Sequence, residues 1–327
     1  MMRTKKLLKK LVTTPTSLLG LVLLAIFTFV AIAAPQLAPP PENARDPQMI
    51  PRDGFGSTPE DPSPEHPLGT TEGQYDIYYG VIWGTRTAFR VGVVIAFCTT
   101  IMGTTIGSIA AYYGGIVDEV LMRLTEIFQA FPYLLAAITL SSVLQTIYGR
   151  GEAGVLMSVA KVLAFFTFGH NLSEPVDPIQ LNVLTAMLAI ITFGWMTYAR
   201  VIRGSILSVR EEEYALAAKV VGVTGPRILF RHLLPNAIFP VLVIASMNIG
   251  SYVLSFAALS FLGLGAQVGY ADWGQMISFA RNWIPSLAQH WYIVAYPGLA
   301  IVLFVLAWNL VGDGLRDILD PRLQGSR

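Results

Sequence analysis

The chain has 327 residues and a formal net charge of +1; 54% of its residues are hydrophobic, 13% are charged, and the mean hydropathy is +0.56. A soluble domain carries roughly 25% charged residues, so this composition excludes an ordinary soluble protein and predicts a membrane protein. The near-neutral charge gives no indication of nucleic-acid binding. Cys98 is the only cysteine, which excludes a disulfide framework and a cysteine-bound zinc site.

Six apolar segments are each long enough to cross a membrane as a helix, which takes about 20 residues. A cleaved signal peptide is the alternative for the first segment, because Met1–Lys10 is basic; the apolar run is long for such a signal, however, and Pro35 would directly follow the cleavage point. We therefore predict an all-α integral membrane protein with six transmembrane helices. The predicted spans are Ser17–Ala34, Ala88–Tyr113, Ile127–Tyr148, Leu181–Val201, Ile238–Leu264 and Trp291–Val311.

The segments between the spans differ in composition. The segment after the first span is rich in Pro, Gly and acidic residues, which favours extended or irregular structure on the outer face. Gly154–Gly169 is too short to span easily and predicts a re-entrant or interfacial helix, either a lid packed on a neighbouring subunit or a substrate contact. The predicted regions are a basic N-terminus 1–16, the first span 17–34, an external segment 35–87, a five-span core 88–313 with an external insertion 149–180 and a charged loop 203–237, and a C-terminus 314–327.

The distribution of Lys and Arg indicates the orientation of the spans. With the N-terminus inside, 15 of the 22 basic residues lie on inner segments, and the other seven lie on the outer side or at span ends. This bias satisfies the positive-inside rule. We therefore expect both termini and the loop 203–237 to be cytoplasmic.

The charged loop has the pattern of two short helices joined at a hinge. Residues 210–221 are mostly good helix formers with acids at the start, where the helix dipole favours them. Gly222 can end this helix in a left-handed conformation, Thr224 can cap the next helix, and Pro226 is tolerated in its first turn. A helix-turn-helix in the largest basic loop of a membrane protein predicts a docking site for a soluble partner.

This loop, residues 203–237, resembles the EAA loop of ABC-importer permeases, and we call it the EAA-like loop. In that pattern Glu-Ala-Ala, three residues, Gly, nine residues, Ile, one residue and Leu-Pro follow in order; Leu216 here replaces the Glu and His232 the Ile. The matching residues are Ala217, Ala218, Gly222, Leu234 and Pro235. Further segments resemble the dipeptide/oligopeptide/nickel-type permeases, in particular their second, C-type subunit: His66–Thr70, Tyr112–Gly115 with Met122-Arg123, Leu259–Gly265 and Asn309–Asp317.

The resemblance, which covers most of the chain from Ser17 to Leu323, implies the MetI-like permease fold of a type I ABC importer in a bacterial or archaeal plasma membrane. It implies a homologous second permease, two ABC ATPases that bind ATP and Mg, and an extracytoplasmic substrate-binding protein as partners in the lipid bilayer. It also implies that the EAA-like loop docks on an ATPase. The coupling residues are then Glu213, Tyr214, Ala217, Ala218, Lys219, Gly222, Val223, Thr224, Pro226 and Pro235.

No pattern in the chain predicts catalysis or a cofactor of its own. A GxxxxGK[ST] phosphate loop is missing, so ATP hydrolysis must come from separate subunits. The four histidines are scattered and form no HExxH motif. Ser158 and Lys161 match the SxxK pattern of serine–lysine acylases, but both companion motifs of those enzymes are missing. We predict no catalytic, metal-binding or cofactor-binding residue.

The fifth span carries one polar stripe on an apolar helix. Asn248, Ser251, Tyr252 and Ser255 follow the helical spacing i, i+3, i+4, i+7. Polar groups facing hydrocarbon are costly, so the stripe should face protein or water, with Val253 on the lipid side. The resemblance implies that the stripe lines a translocation path. The alternative is hydrogen bonding to the partner permease.

Two further sequence features concern the fifth and the second span. Phe256 stands where many members of the resembling family carry Glu. Gly103 and Gly107 in the second span form a GxxxG pattern, which predicts a close helix contact.

Three functions are distinguished by these patterns. An ABC permease accounts for the EAA-like loop, with peptides as the predicted cargo and nickel chelates or oligosaccharides as the alternatives. An ion-coupled secondary carrier would need carboxylates or broken helices at mid-membrane, and the spans contain almost no Asp or Glu. A membrane-embedded hydrolase has only the SxxK match in its favour.

Overall fold

A computed structural model describes residues 14–42, 44, 46–150, 154–221 and 225–319. The described chain is a helical bundle with irregular connections, the longest of them (38–76) between α1 and α2, and with isolated antiparallel bridges. A π-helical turn (Leu229–Leu233) and a 3-10 helix (Phe279–Ser286) complete it. The α-helices are α1 (Pro15–Leu37), α2 (Ile77–Tyr113), α3 (Gly115–Ala130), α4 (Tyr133–Gly149), α5 (Gly154–Phe168), α6 (Pro178–Gly194), α7 (Met196–Val209), α8 (Glu213–Val220), α9 (Gly225–Ile228), α10 (Leu234–Ala237), α11 (Phe239–Phe261), α12 (Trp273–Ser278) and α13 (Tyr292–Leu319).

The described helices confirm the predicted all-α membrane architecture. Five are long and apolar enough to cross a membrane: α1, α2, α6 with α7, α11 and α13. The pair α3 and α4 makes a sixth crossing if the two helices are counted together. The predicted number of spans is therefore reached only through a bent pair.

The prediction of one continuous third span over Ile127–Tyr148 is wrong. α3 and α4 meet at an angle of 88° across Phe131-Pro132. A residue before proline is pushed out of the helical region, and Phe131 is accordingly extended, with φ −80° and ψ 134°. Hydropathy continues through this point because the residues stay apolar, but the backbone does not.

Two other spans extend beyond their predicted ends. The second begins at Ile77 instead of Ala88, because the carboxylate of Asp76 accepts a hydrogen bond from the backbone N–H of Tyr79 at 2.7 Å and caps the helix. With 37 residues, α2 is about 55 Å long at 1.5 Å per residue, more than a bilayer core of about 30 Å. α13 continues past Val311, the predicted end of its span, to Leu319.

α2 is central to the bundle and packs on α1, α7 and α11. The GxxxG pattern allows the approach to α7: a Cβ at Gly103 would collide with the backbone of Trp195, and one at Gly107 with the backbone of Ala199. The predicted close helix contact is therefore confirmed. α13 packs on α1 and α11 on the other side of the bundle.

The segment before α2 is tied to that helix by an ionic cluster. Nδ1 of His66 lies 2.6 Å from a carboxylate oxygen of Asp76, and Nε2 lies 2.9 Å from one of Asp53. Burial lowers the pKa of His66, but the hydrogen bonds and charges of the two carboxylates outweigh it, so the pKa lies above its ordinary value of 6.5. This cluster and the EAA-like loop lie at opposite ends of α2, since Tyr112 contacts Gly225.

The predicted external insertion contains a short helix, α5. It packs on α6 and α2 through buried small residues, including Ala160 and Ala164. Its opposite face exposes Val155, Val159 and Val162. At 15 residues it is too short to span unaided, which agrees with a helix that does not cross the membrane.

Candidate functional site

A cavity of about 470 Å³ lies where two helix breaks meet the middle of α11. One break is Phe131-Pro132 between α3 and α4, and the other is Trp195 between α6 and α7. Helix breaks free polar backbone groups and are tolerated at membrane depth where they line a cavity. The lining residues are Gln129, Phe131, Pro132, Tyr133, Phe193, Gly194, Met196, Thr197, Asn248, Ser251, Tyr252 and Ser255.

All four residues of the predicted polar stripe lie on the α11 wall of this cavity. Tyr252 is buried, Asn248 and Ser255 are half-buried, and Ser251 is exposed. The structure therefore brings the four together on one surface, as the helical spacing predicts. Their role in a translocation path stays a prediction.

Two residues of the stripe also hold α11 against α7. The amide Nδ2 of Asn248 donates to the hydroxyl of Tyr198 at 2.9 Å. The hydroxyl of Tyr252 lies 3.2 Å from that of Tyr198 and 3.3 Å from the carbonyl oxygen of Gly194. Asn248 and Tyr252 are thus shared between cavity and helix packing, and the hydroxyl of Ser255 donates within its own helix to the carbonyl oxygen of Ser251. Part of the stripe therefore forms hydrogen bonds between helices of this chain and also lines the cavity.

The cavity is neutral and partly aromatic. No Asp, Glu, Lys or Arg is among the residues that line it. Hydroxyl and amide groups can exchange hydrogen bonds with the backbone of a polar solute, and the rings can cover its apolar parts. A neutral wall of this kind neither traps nor repels a solute through one strong fixed charge.

The prediction that Val253, on the side of α11 opposite the stripe, faces lipid is wrong. Val253 is 4% exposed and lies beside Gly92 of α2, where the missing side chain makes room for it. Phe256, at the position where the resembling family often carries Glu, is 1% exposed and belongs to the core. Helical periodicity separates the two faces of a helix but does not say whether a neighbouring helix covers the second one.

Sequence analysis missed the other walls of the cavity. Residues of the α3–α4 and α6–α7 junctions carry no polar stripe, and the sequence offers one signal for them: Pro132 inside an apolar run, which predicts a break. Trp195 offers no comparable signal. These two junctions lie next to each other because α4 packs on α6.

The EAA-like loop forms the predicted two helical parts. α8 contains Glu213, Tyr214 and Ala217, all exposed, and it also contains Ala218 and Lys219. Pro226 lies in the first turn of α9, and Pro235 in that of α10 after the π-helical turn. The predicted hinge and cap, Gly222, Val223 and Thr224, lie outside the described residues.

The loop also presents apolar side chains beyond the membrane-spanning helices. Val220 is 87% exposed and Val221 is 82% exposed, and Phe230 is exposed as well. Ala215 is fully buried against the bundle and anchors α8. The loop is thus fixed to the bundle on one side, and its exposed surface carries apolar side chains together with charged ones such as Glu213.

Comparison with known proteins shows similarity to transport permeases over nearly the whole chain. A family described as "Binding-protein-dependent transport system inner membrane component" matches residues 103–325. The chain is 33% identical over 316 residues to a dipeptide transport system permease protein, DppC, of Alkalihalophilus pseudofirmus, covering 97% of this chain and 89% of the relative. It is 33% identical over 310 residues to the DppC of Haemophilus influenzae, covering 94% and 91%. It is 35% identical over 265 residues to the glutathione transport system permease protein GsiD of Pectobacterium atrosepticum, covering 81% and 75%.

Proposed function

We propose, from the premise that the chain belongs to the family of binding-protein-dependent transport system inner membrane components, that it forms half of a path for peptides in an ATP-driven importer. The relatives at 33–35% identity carry dipeptide and glutathione transport names, and both cargoes are peptides. Among the expected cargoes, a peptide therefore has the best support.

The neutral cavity at the two helix breaks is the observation that carries this proposal. Five of its lining residues, Gln129, Phe131, Pro132, Thr197 and Ser251, are exposed, so the cavity is open on one side. A homologous second permease would close that side and complete the path. Amide and hydroxyl walls suit cargoes whose common feature is a peptide backbone, since side chains vary while the backbone groups do not.

The apolar surface of the EAA-like loop supports a soluble partner on that side of the membrane. Val220, Val221 and Phe230 lie outside the spans and are exposed, and apolar side chains exposed beyond the membrane favour a protein interface. We assign this interface to an ABC ATPase, one of two that bind ATP and Mg. An extracytoplasmic binding protein delivers the cargo to the opposite face.

The distribution of basic residues favours cytoplasmic termini, and the bacterial relatives favour a bacterial or archaeal plasma membrane. In this arrangement, ATP-driven closure of the ATPases displaces the EAA-like loop. Rocking of the helix bundles around the cavity then exposes it alternately to either side.

A reconstituted assay tests the proposal. The chain is co-expressed with a homologous second permease, two ABC ATPases and an extracytoplasmic binding protein from the same organism, purified and inserted into liposomes. We expect ATP-dependent uptake of a labelled dipeptide that requires the binding protein. Uptake of a nickel chelate or an oligosaccharide alone would replace the cargo assignment, and uptake driven by an ion gradient without ATPases would overturn the importer assignment.

A further inference from the structure

One ion pair joins α3 to α7, the helix whose second half, from Arg203 onward, begins the EAA-like loop. Arg203 of α7 donates from Nε and Nη2 to the two carboxylate oxygens of Asp118 of α3, each at 2.5 Å. The side chains are 33% and 18% exposed. A two-pronged guanidinium–carboxylate contact fixes orientation as well as distance. The residues are 85 positions apart, so the pair holds separate helices together.

The other ends of these helices form two walls of one cavity. α3 ends beside the Phe131-Pro132 break, and its Gln129 lines the cavity. α7 begins after Trp195, and its Thr197 lines the same cavity. Displacing α3 relative to α7 would therefore change the shape of the cavity.

α7 is continuous with α8 of the EAA-like loop through successive backbone hydrogen bonds. The N–H of Arg210 donates to the carbonyl of Ile206 at 2.9 Å, that of Glu212 to Val209 at 3.2 Å, and that of Ala215 to Glu212 at 2.9 Å. A displacement of α8 is thus transmitted directly to α7.

α3 has no such continuous link to the loop. It is connected to α2 through Gly114 and Gly115, both with positive φ (63° and 52°), and no atom lies within 4 Å of where their side chains would be. Two glycines in an open corner allow the direction of the chain to change at small cost. The Asp118–Arg203 pair therefore ties the loop end of α3 to α7, and Arg210 at the end of α7 adds a second positive charge near Asp118.

We propose, on the basis of the proposed function, that Asp118 and Arg203 are positioning residues that make α3 follow α7 when the ATPases move the EAA-like loop. Both walls of the cavity then move together. Without the pair, the loop end of α3 can pivot at Gly114-Gly115 and need not follow α7, and ATP is hydrolysed without a full opening of the cavity.

The chain offers a matched control on the same helix. Arg123 and Glu126 of α3 form an i,i+3 pair with 70% and 59% of their side chains exposed, and the contact stays within α3. Its loss removes an ion pair and leaves the α3–α7 connection unchanged.

The test measures uptake and ATP hydrolysis together in liposomes containing the complete transporter. Asp118→Asn and Arg203→Gln should lower the number of peptides taken up per ATP by about tenfold, a size typical of coupling between sites. Asp118→Glu, which keeps the carboxylate, should recover most of this ratio. Glu126→Gln should leave the ratio at the wild-type value.

Each outcome decides the proposal. An unchanged ratio in Asp118→Asn, an equal fall in Glu126→Gln, or a complex that no longer assembles would show that the pair only stabilises the fold, and would overturn its role in coupling. A wild-type transporter that takes up no peptide would instead refute the proposed function.

Discussion

Gly107 lies at a close contact between α2 and α7, and replacing it with Ala should destabilise the bundle. A Cβ at this position would lie 2.5 Å from Cγ2 of Ile202 and 2.8 Å from the carbonyl carbon of Ala199, and closer still to the carbonyl oxygen of Ala199. Carbon atoms are in optimal contact at about 3.5–4.0 Å. The atoms of Ala199 belong to the backbone and cannot rotate away, so the two helices must separate.

The size of the effect follows from two opposing contributions. Over-packing costs about 1–3 kcal/mol, while Ala is favoured over Gly in a helix interior by about 0.5–1 kcal/mol. Because the collision is with backbone, we expect a net loss of about 1–2 kcal/mol. At about 2–4 °C per kcal/mol, the unfolding midpoint should fall by about 2–8 °C.

Gly204→Ala is the matched control, because Gly204 is also a helical glycine but has no atom within 4 Å of the added Cβ. This change should raise the midpoint slightly through the helix preference alone. Thermal unfolding of the purified chain in detergent, followed by the loss of helical circular dichroism, measures both. If Gly107→Ala shifted the midpoint in the same direction as Gly204→Ala, the close contact between α2 and α7 would be refuted.

Three further predictions concern other parts of the chain. His66 has a raised pKa, so the stabilisation that its positive charge gives should be complete below pH 6.5, while its partner carboxylates are ionised, and should be lost as pH rises through the higher pKa of the folded protein. Proteolysis of the segment before α2 should therefore increase with pH. A His66→Gln variant that kept this pH dependence would contradict the assignment. Ser255→Trp should reduce uptake by narrowing the cavity, whereas Leu242→Trp, on an exposed part of the opposite face, should not; equal defects would assign the stripe to packing. Cysteine at Ser63 should react with an impermeant maleimide from outside, and cysteine at Thr224 only after permeabilisation, and the reverse labelling would invert the orientation.

Several features of this protein follow from local sequence periodicity. The approximate positions of the spans, the polar stripe on α11 and the close approach at Gly103 and Gly107 were all predicted, because each depends on residue type repeated at helical spacing. The family resemblance of the EAA-like loop likewise rests on spacing within one segment. These properties require only that the segment be helical.

The tertiary structure decided which surfaces face each other. Val253 is an apolar residue of the kind that faces lipid, yet it is buried against α2, where Gly92 leaves room for its side chain. Pro132 makes a helix break foreseeable from the sequence, but the 88° angle of the bend depends on the packing of α3 on α2 and α7 and of α4 on α6. The Asp118–Arg203 pair joins residues 85 positions apart, and no periodicity relates them. Contacts of this kind arise when helices assemble, because the free energy of burying and pairing side chains depends on neighbours that are distant in the chain.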